Sequence, residues 1–179
     1  MITIDYINNQ HKNLLKLLQI NKNHEQYKSL YNIISNEKGF YEFKHSYLPC
    51  KIIRWDGNLN GYVGVPKDHI IYNERYNDNE TIMNIKVHGK ISYSNFLDIK
   101  DINYNDYWYL GFNTKHMYDY NISLHINSHY TYNNNISTYK NYTYVRRETE
   151  KLAEFLFKID KSYMRKIKLS NILNYIDKN

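Results

Sequence analysis

Apolar residues recur at steps of three and four near the start of the chain, at steps of two through its middle, and at steps of three and four again toward its end. Ile7, Leu14, Leu15 and Leu18 predict a first helix capped by Asp5. Tyr27, Leu30, Tyr31 and Ile34 predict a second capped by Asn23, with residues 36–39 as its stop. From Phe40 the period shortens, and strands are expected at 40–47, 50–55, 61–65, 82–93, 107–113 and 122–131. Asp56-Gly57 is a hairpin signal inside a loop read as 56–60, and Pro66 ends a strand before a polar stretch, 67–80, that reads as a long surface loop. Val145, Thr149, Leu152, Leu156, Ile159 and Tyr163 line one face of a C-terminal helix. Ser170 can cap a short last helix with Ile172, Leu173 and Ile176 turned inward. The expected fold class is α+β. A largely antiparallel sheet, formed by the middle of the chain and covered on one face, is packed by N- and C-terminal helices. One domain over 1–179 accounts for the pattern, with helices in 1–38, the β-rich region in 39–135 and helices again in 142–178.

Two of the expected strands carry the chemistry. In 82–93, Met83, Ile85, Val87, Ile91 and Tyr93 would face the core, while Lys86, His88 and Lys90 would stand side by side on the other face. Three adjacent cation-capable groups without an acid repel one another unless an anion or water screens them. In 107–113, Trp108, Leu110 and Phe112 would point inward, with Tyr107, Tyr109, Gly111 and Asn113 outward. Gly89 and Gly111 interrupt strand patterns, where glycine often marks close approach of a ligand or another backbone. Lys115, His116 and Asp119 follow directly. If the strands are neighbours, these residues rim a glycine-floored recess in which tyrosines can stack a base and cations hold phosphate. The plainer alternative is the solvated face of a sheet.

Composition adds a sign. Lys and Arg number 24 against 18 Asp and Glu, a net +6, which favours anionic partners without choosing among them. The 21 tyrosines have a bland source too, since Tyr, Asn, Ile and Lys can all be written with A/T-rich codons. Cys50 alone allows no internal disulfide. The opening MITIDYINNQHKNLL lacks a signal-peptide pattern and no apolar run is long enough to span a bilayer, so a cytoplasmic protein without membrane contact is expected. His125 and His129, four apart in an expected strand, stand about 13 Å from each other, too far to share a metal. The residues imply no metal and no cofactor. Arg146-Arg147 and the lysines of 158–168 are interrupted by acids, so contact with long nucleic acid is the weaker expectation.

Gly-Tyr-Val-Gly-Val-Pro at 61–66 followed by His69, Val-His-Gly at 87–89 followed by Ser92-Tyr93-Ser94, and Trp108 with Gly111-Phe112, His116 and Asp119 form an ordered set of motifs. The set resembles a family of small phage proteins whose pattern runs G-Y-V-G-V-P-x-x-H, V-H-G-G-L-T-Y-S and W-W-F-G-F-D-C-A-H-x-G-D. Tyr142, Glu148 and Leu152-Ala153 match a helix that follows, so the resemblance spans roughly 61 to 156. It implies a phage origin, hence the cytoplasm of an infected bacterial host, and a site location more than an activity. His69, His88, Gly89, Gly111, His116 and Asp119 fall on motif positions. Asn113-Thr114 replaces the family's Asp-Cys, and Lys90 replaces its second glycine. Those departures remove two metal-capable groups beside His116.

The expected function is phage counter-defence. The chain would bind a small anionic nucleotide, such as a cyclic oligonucleotide immune signal, with its capture and its hydrolysis both open. As a phosphodiesterase it would use His88 and His116 as acid and base, oriented by Asp119. Lys86, Lys90, Gly89, Tyr107, Tyr109, Gly111, Asn113, Lys115 and His69 would contact the ligand, and a homo-oligomer would enclose it. The alternative is a non-enzymatic module for a host protein or nucleic acid.

Overall fold

A computed structural model describes residues 2–21, 25–100, 106–116, 118–123, 138–160, 165, 168–169 and 172. Two helices, α1 (Ile4–Ile20) and α2 (Glu25–Ile34), precede strands β1 (Phe40–His45), β2 (Leu48–Trp55) and β3 (Asn58–Pro66). A one-turn helix α3 (Glu80–Met83), strands β4 (Tyr93–Asn95) and β5 (Tyr107–Phe112), and the long helix α4 (Tyr142–Ile159) follow. The five strands form one antiparallel sheet in the order β1-β2-β3-β5-β4, so the fold is α+β.

Alternation along β2 and β3 places Leu48, Cys50, Ile52, Val63 and Val65 on one face. There they meet Leu110 and Phe112 of β5 and the Val145/Leu152/Leu156 stripe of α4. The other face is covered as well, contrary to expectation. Ile7 of α1 with Leu97 and Ile99 packs over Ile53 and Tyr109, so Tyr109 is only 2% exposed instead of pointing into solvent. Between the faces, β2 is buried from Leu48 to Arg54. Its buried cations are paired: Lys51 with Glu42, and Arg54 with Glu37 at 2.5 Å.

Both hairpins are two-residue turns with positive φ at both positions, the geometry that matches strand twist. Asp56 (50°) and Gly57 (87°) join β2 to β3, a tighter turn than the five-residue loop expected, because Trp55 pairs directly with Asn58. Ser46 (48°) and Tyr47 (66°) join β1 to β2 without a glycine. The cap of α1 is Thr3, whose hydroxyl accepts from the Tyr6 amide, and not Asp5, which sits in the first turn.

The expected strand 82–93 does not form. Asn79 caps α3 by accepting from the Ile82 amide, and Ile82 and Ile85, three apart, are the buried pair while Met83 is exposed. Three-residue spacing fits a helical turn as well as it fits a mixed strand, and the cap decides for the helix. The backbone then turns through positive φ at Gly89 and Lys90 before β4 begins. Consequently Lys86 and Lys90 are exposed, His88 turns inward, and the three do not share a strand face. The stretch 67–80 is also less of a free loop than expected: His69 and Ile71 are buried, and the Trp108 indole N–H donates to the Glu74 carbonyl at 3.0 Å. Ile172 is exposed, not turned inward. Asn23, Tyr163, Ser170, Leu173, Ile176, His125, His129 and the strand expected beyond Ser123 lie outside the described residues.

Candidate functional site

Three segments meet at the N-terminal half of α4: the turn 84–90, the loop leaving β5, and α4 itself. The loop is fixed by the start of β3. Asn58 donates to the carbonyls of Thr114 (3.0 Å) and Tyr120 (2.9 Å) and accepts from the Ile122 amide (3.2 Å). The Thr114 hydroxyl donates to the Leu59 carbonyl at 2.8 Å. With both ends held, a tight turn closes from the Asp119 amide to the His116 carbonyl at 2.9 Å.

Asp119 is the hub. Its Oδ2 accepts from the His116 amide at 3.0 Å and faces His88 Nε2 at 2.7 Å, while Lys140 Nζ stands 3.5 Å from Oδ1. His88 is held from α4 too: its amide donates to Glu148 at 3.2 Å, and its Nδ1 lies 2.9 Å from the Tyr144 hydroxyl. His88 Nε2 therefore carries the proton donated to Asp119. His116 Nε2, 3.1 Å from the Asn113 carbonyl, donates there, which leaves Nδ1 with no hydrogen-bond partner among the described residues. The two rings lie 5.3 Å apart. Gly89 makes this approach feasible, since a Cβ at that position would fall 1.6 Å from His116 Nε2.

The electrostatics are mixed rather than purely cationic. Buried Glu148 pairs with Lys151 at 2.6 Å and lies 4.0 Å from Arg147. The Tyr144 ring has Lys140 (5.3 Å) and Arg147 (5.4 Å) over its faces. Burial, and then the charges of Glu148 and Asp119, raise the pKa of the Tyr144 hydroxyl, so it stays protonated and able to donate. His88, engaged at both nitrogens, is a positioned imidazole, whereas His116 offers a lone pair at Nδ1. One donor atom from each of His88, His116 and Asp119 lies within 4.8 Å of the others, a set that can hold a metal ion.

A cavity of about 550 Å³ opens on the α1 side of the sheet. Trp55, Tyr62 and Tyr93 give it aromatic walls, and Asn60, Ser92 and Asn113 give it polar ones. Tyr62 and Tyr93 meet edge to face at 5.3 Å, and burial pushes the Tyr93 hydroxyl up to about 12. Asn113 joins this cavity to the histidine cluster. Its side chain lines the cavity and donates to the Ser92 hydroxyl at 3.0 Å, while its carbonyl holds His116.

Of the residues singled out from sequence, His88, His116, Asp119 and Asn113 come together, with Gly89 against His116. Lys115 lines the cavity and pairs with Asp56 at 2.5 Å. Gly111 is covered by the Tyr62 ring, not opened to a ligand. Tyr107 and Tyr109 lie at the far end of β5, opposite Pro66 and Gly64. Lys86 lines a separate groove of about 370 Å³ with Lys151 and Lys158. His69 is buried, its Nε2 donating to the Leu156 carbonyl (2.9 Å) and its Nδ1 accepting from the Ile71 amide (3.1 Å). It pins the 66–74 stretch to α4 and stands apart from the cluster. Tyr142 stacks on Tyr41 at 4.1 Å, and the tyrosine that reaches the cluster is Tyr144. Tyr144 and Lys140 escaped sequence reasoning. Tyr144, Glu148 and Lys151 form a stripe at steps of four and three beside the buried stripe of α4, a signal that was available; Lys140 carried none.

The chain matches no protein-family model, no curated protein and no solved structure.

Proposed function

We propose that this chain binds a small anionic nucleotide, with the base in the aromatic cavity and the phosphate at the His88–His116–Asp119 cluster, where a phosphodiester is hydrolysed. The observation that carries this reading is Asn113, whose side chain lines the cavity and whose carbonyl holds the His116 imidazole. The cavity's size falls in the range of small-ligand sites. Flat aromatics contribute about 1–3 kcal/mol per stacked base, and Trp55, 44% exposed at the mouth, is placed to do so. Side-chain amides and hydroxyls recognise base edges, and Lys115 is a cation whose partner Asp56 is largely exposed, so the pair costs little to open. The net charge of +6 favours an anionic ligand. The likeness to small phage proteins supports the finer reading that the nucleotide is a cyclic oligonucleotide signal of bacterial antiviral defence.

Calorimetric titration of the full chain against cyclic di- and trinucleotides and linear mononucleotides, with products followed by chromatography, tests this directly. Saturable binding and new nucleotide products are expected. Trp55→Ala should weaken binding roughly tenfold or more, and His116→Ala should abolish products while ligand still binds. Absence of heat across the whole panel would refute the proposal.

A further inference from the structure

We infer that His88, His116 and Asp119 form a binding site for one divalent transition-metal ion of the zinc class. Two imidazoles and a carboxylate are the donor set of many zinc hydrolase sites, and three protein ligands leave a coordination position open to water or substrate. The donor atoms come from two segments, His88 from the turn 84–90 and His116 with Asp119 from the loop after β5, and lie within 4.8 Å of one another. Ligands around tetrahedral zinc stand about 3.4 Å apart, given bonds of about 2.0–2.2 Å. The His88–Asp119 contact at 2.7 Å would open by less than about 1 Å, and the widest pair would close by about 1.4 Å. Side-chain rotations cover such shifts.

The outer partners strengthen the case more than the distances do. An imidazole that binds metal through one nitrogen usually donates the other N–H to a fixed acceptor, which sets its tautomer and orientation. Here His116 Nε2 donates to the Asn113 carbonyl and leaves Nδ1 as a lone pair without a partner among the described residues. Metal binding at His88 Nε2 would displace the proton that Asp119 accepts there, and in the resulting tautomer Nδ1–H would donate to the Tyr144 hydroxyl at 2.9 Å. Lys140 stands near Oδ1, while Oδ2 faces the His88 imidazole and accepts from the His116 backbone amide. Gly89 lets the backbone close against the outer nitrogen of His116. A dication bound by one carboxylate and two neutral imidazoles keeps a net positive charge, which suits an anionic phosphate. Metal binding itself rests on the cluster alone; only its use on a phosphodiester rests on the function proposed above.

The test strips the full chain with a chelator and titrates it with Zn²⁺ by calorimetry, with elemental analysis after dialysis and circular dichroism to check folding. One Zn²⁺ per chain is expected. Asp119→Asn and His116→Ala should each weaken binding at least about 100-fold. Tyr144→Phe, which keeps the ring and its packing, should weaken it about 10-fold or more. No zinc retained by the wild-type chain overturns the inference, as does unchanged affinity in folded Tyr144→Phe and His116→Ala, which would put the ion elsewhere. Zinc binding without nucleotide binding upholds this site and ends the nucleotide reading. Nucleotide hydrolysis by a chain that takes up no zinc does the reverse.

Discussion

At the scale of single residues, the same side chain type serves opposite ends. His69 is walled in, and burial holds its pKa below the ordinary 6.5, as burial and then the nearby Arg54 charge do for His11. Their folded-state pKa values lie below the unfolded ones, so the folded chain binds fewer protons. The stability tied to these neutral imidazoles is complete above pH 6.5 and is lost as pH falls from there through the folded values. Each group contributes a slope of at most about 1.4 kcal/mol per pH unit. Urea unfolding at pH 7.5 and pH 5 should therefore show a weaker fold at the lower pH. In His69→Gln that dependence should be shallower, and an equal pH dependence in variant and wild type would contradict this role. Motif spacing singled out His69, His88 and His116 alike; only the partners distinguish a staple from a reactive group. Glycine was similarly ambiguous. Gly89 does mark a close approach, but the approaching atom is His116 Nε2, 27 positions away along the chain, and Gly111 is met by Tyr62 from the neighbouring strand.

Elements were legible where one period had no competitor. The stripe of α4 and the central strands β2, β3 and β5 follow the pattern closely, and Asp56-Gly57 announced its hairpin. The Ser46-Tyr47 turn was hidden because two non-glycine residues take positive φ there, with the Tyr47 ring resting on Phe157 at 5.7 Å. The 82–93 segment misled because alternation and three-residue spacing overlap in it, and the Asn79 cap lies outside the window. What positions the site is a contact between elements: the β2–β3 hairpin presents Asn58 to the loop after β5. Removing its side chain in Asn58→Ala strands two carbonyls and one amide in the interior, at a cost of about 2–4 kcal/mol. A midpoint shift in urea of matching size, with loss of zinc and nucleotide binding, is the expected result. A variant as stable as wild type would show that the loop is held by other means.

Across the whole molecule, both sheet faces are covered, α4 on one and α1 with the Leu97–Ile99 stretch on the other. Local sequence could not show this, because Tyr62, Tyr93 and Tyr109 suit either solvent or a packed interface, and only long-range placement decides. The covering leaves a cavity under α1, while α4 brings Tyr144 and Glu148 to the histidines. No helix among the described residues is long and apolar enough to cross a membrane. The surplus of six positive charges is opposite in sign to the anionic ligand class proposed for the site, and says nothing about its place. Nitrogen-15 NMR of the histidine side chains during titration with a cyclic dinucleotide bears most directly on the whole account. The ring nitrogens of His88 and His116 should shift together with one apparent affinity while His69 stays still. Saturable binding that leaves both cluster imidazoles unmoved, or moves His69 instead, would contradict it.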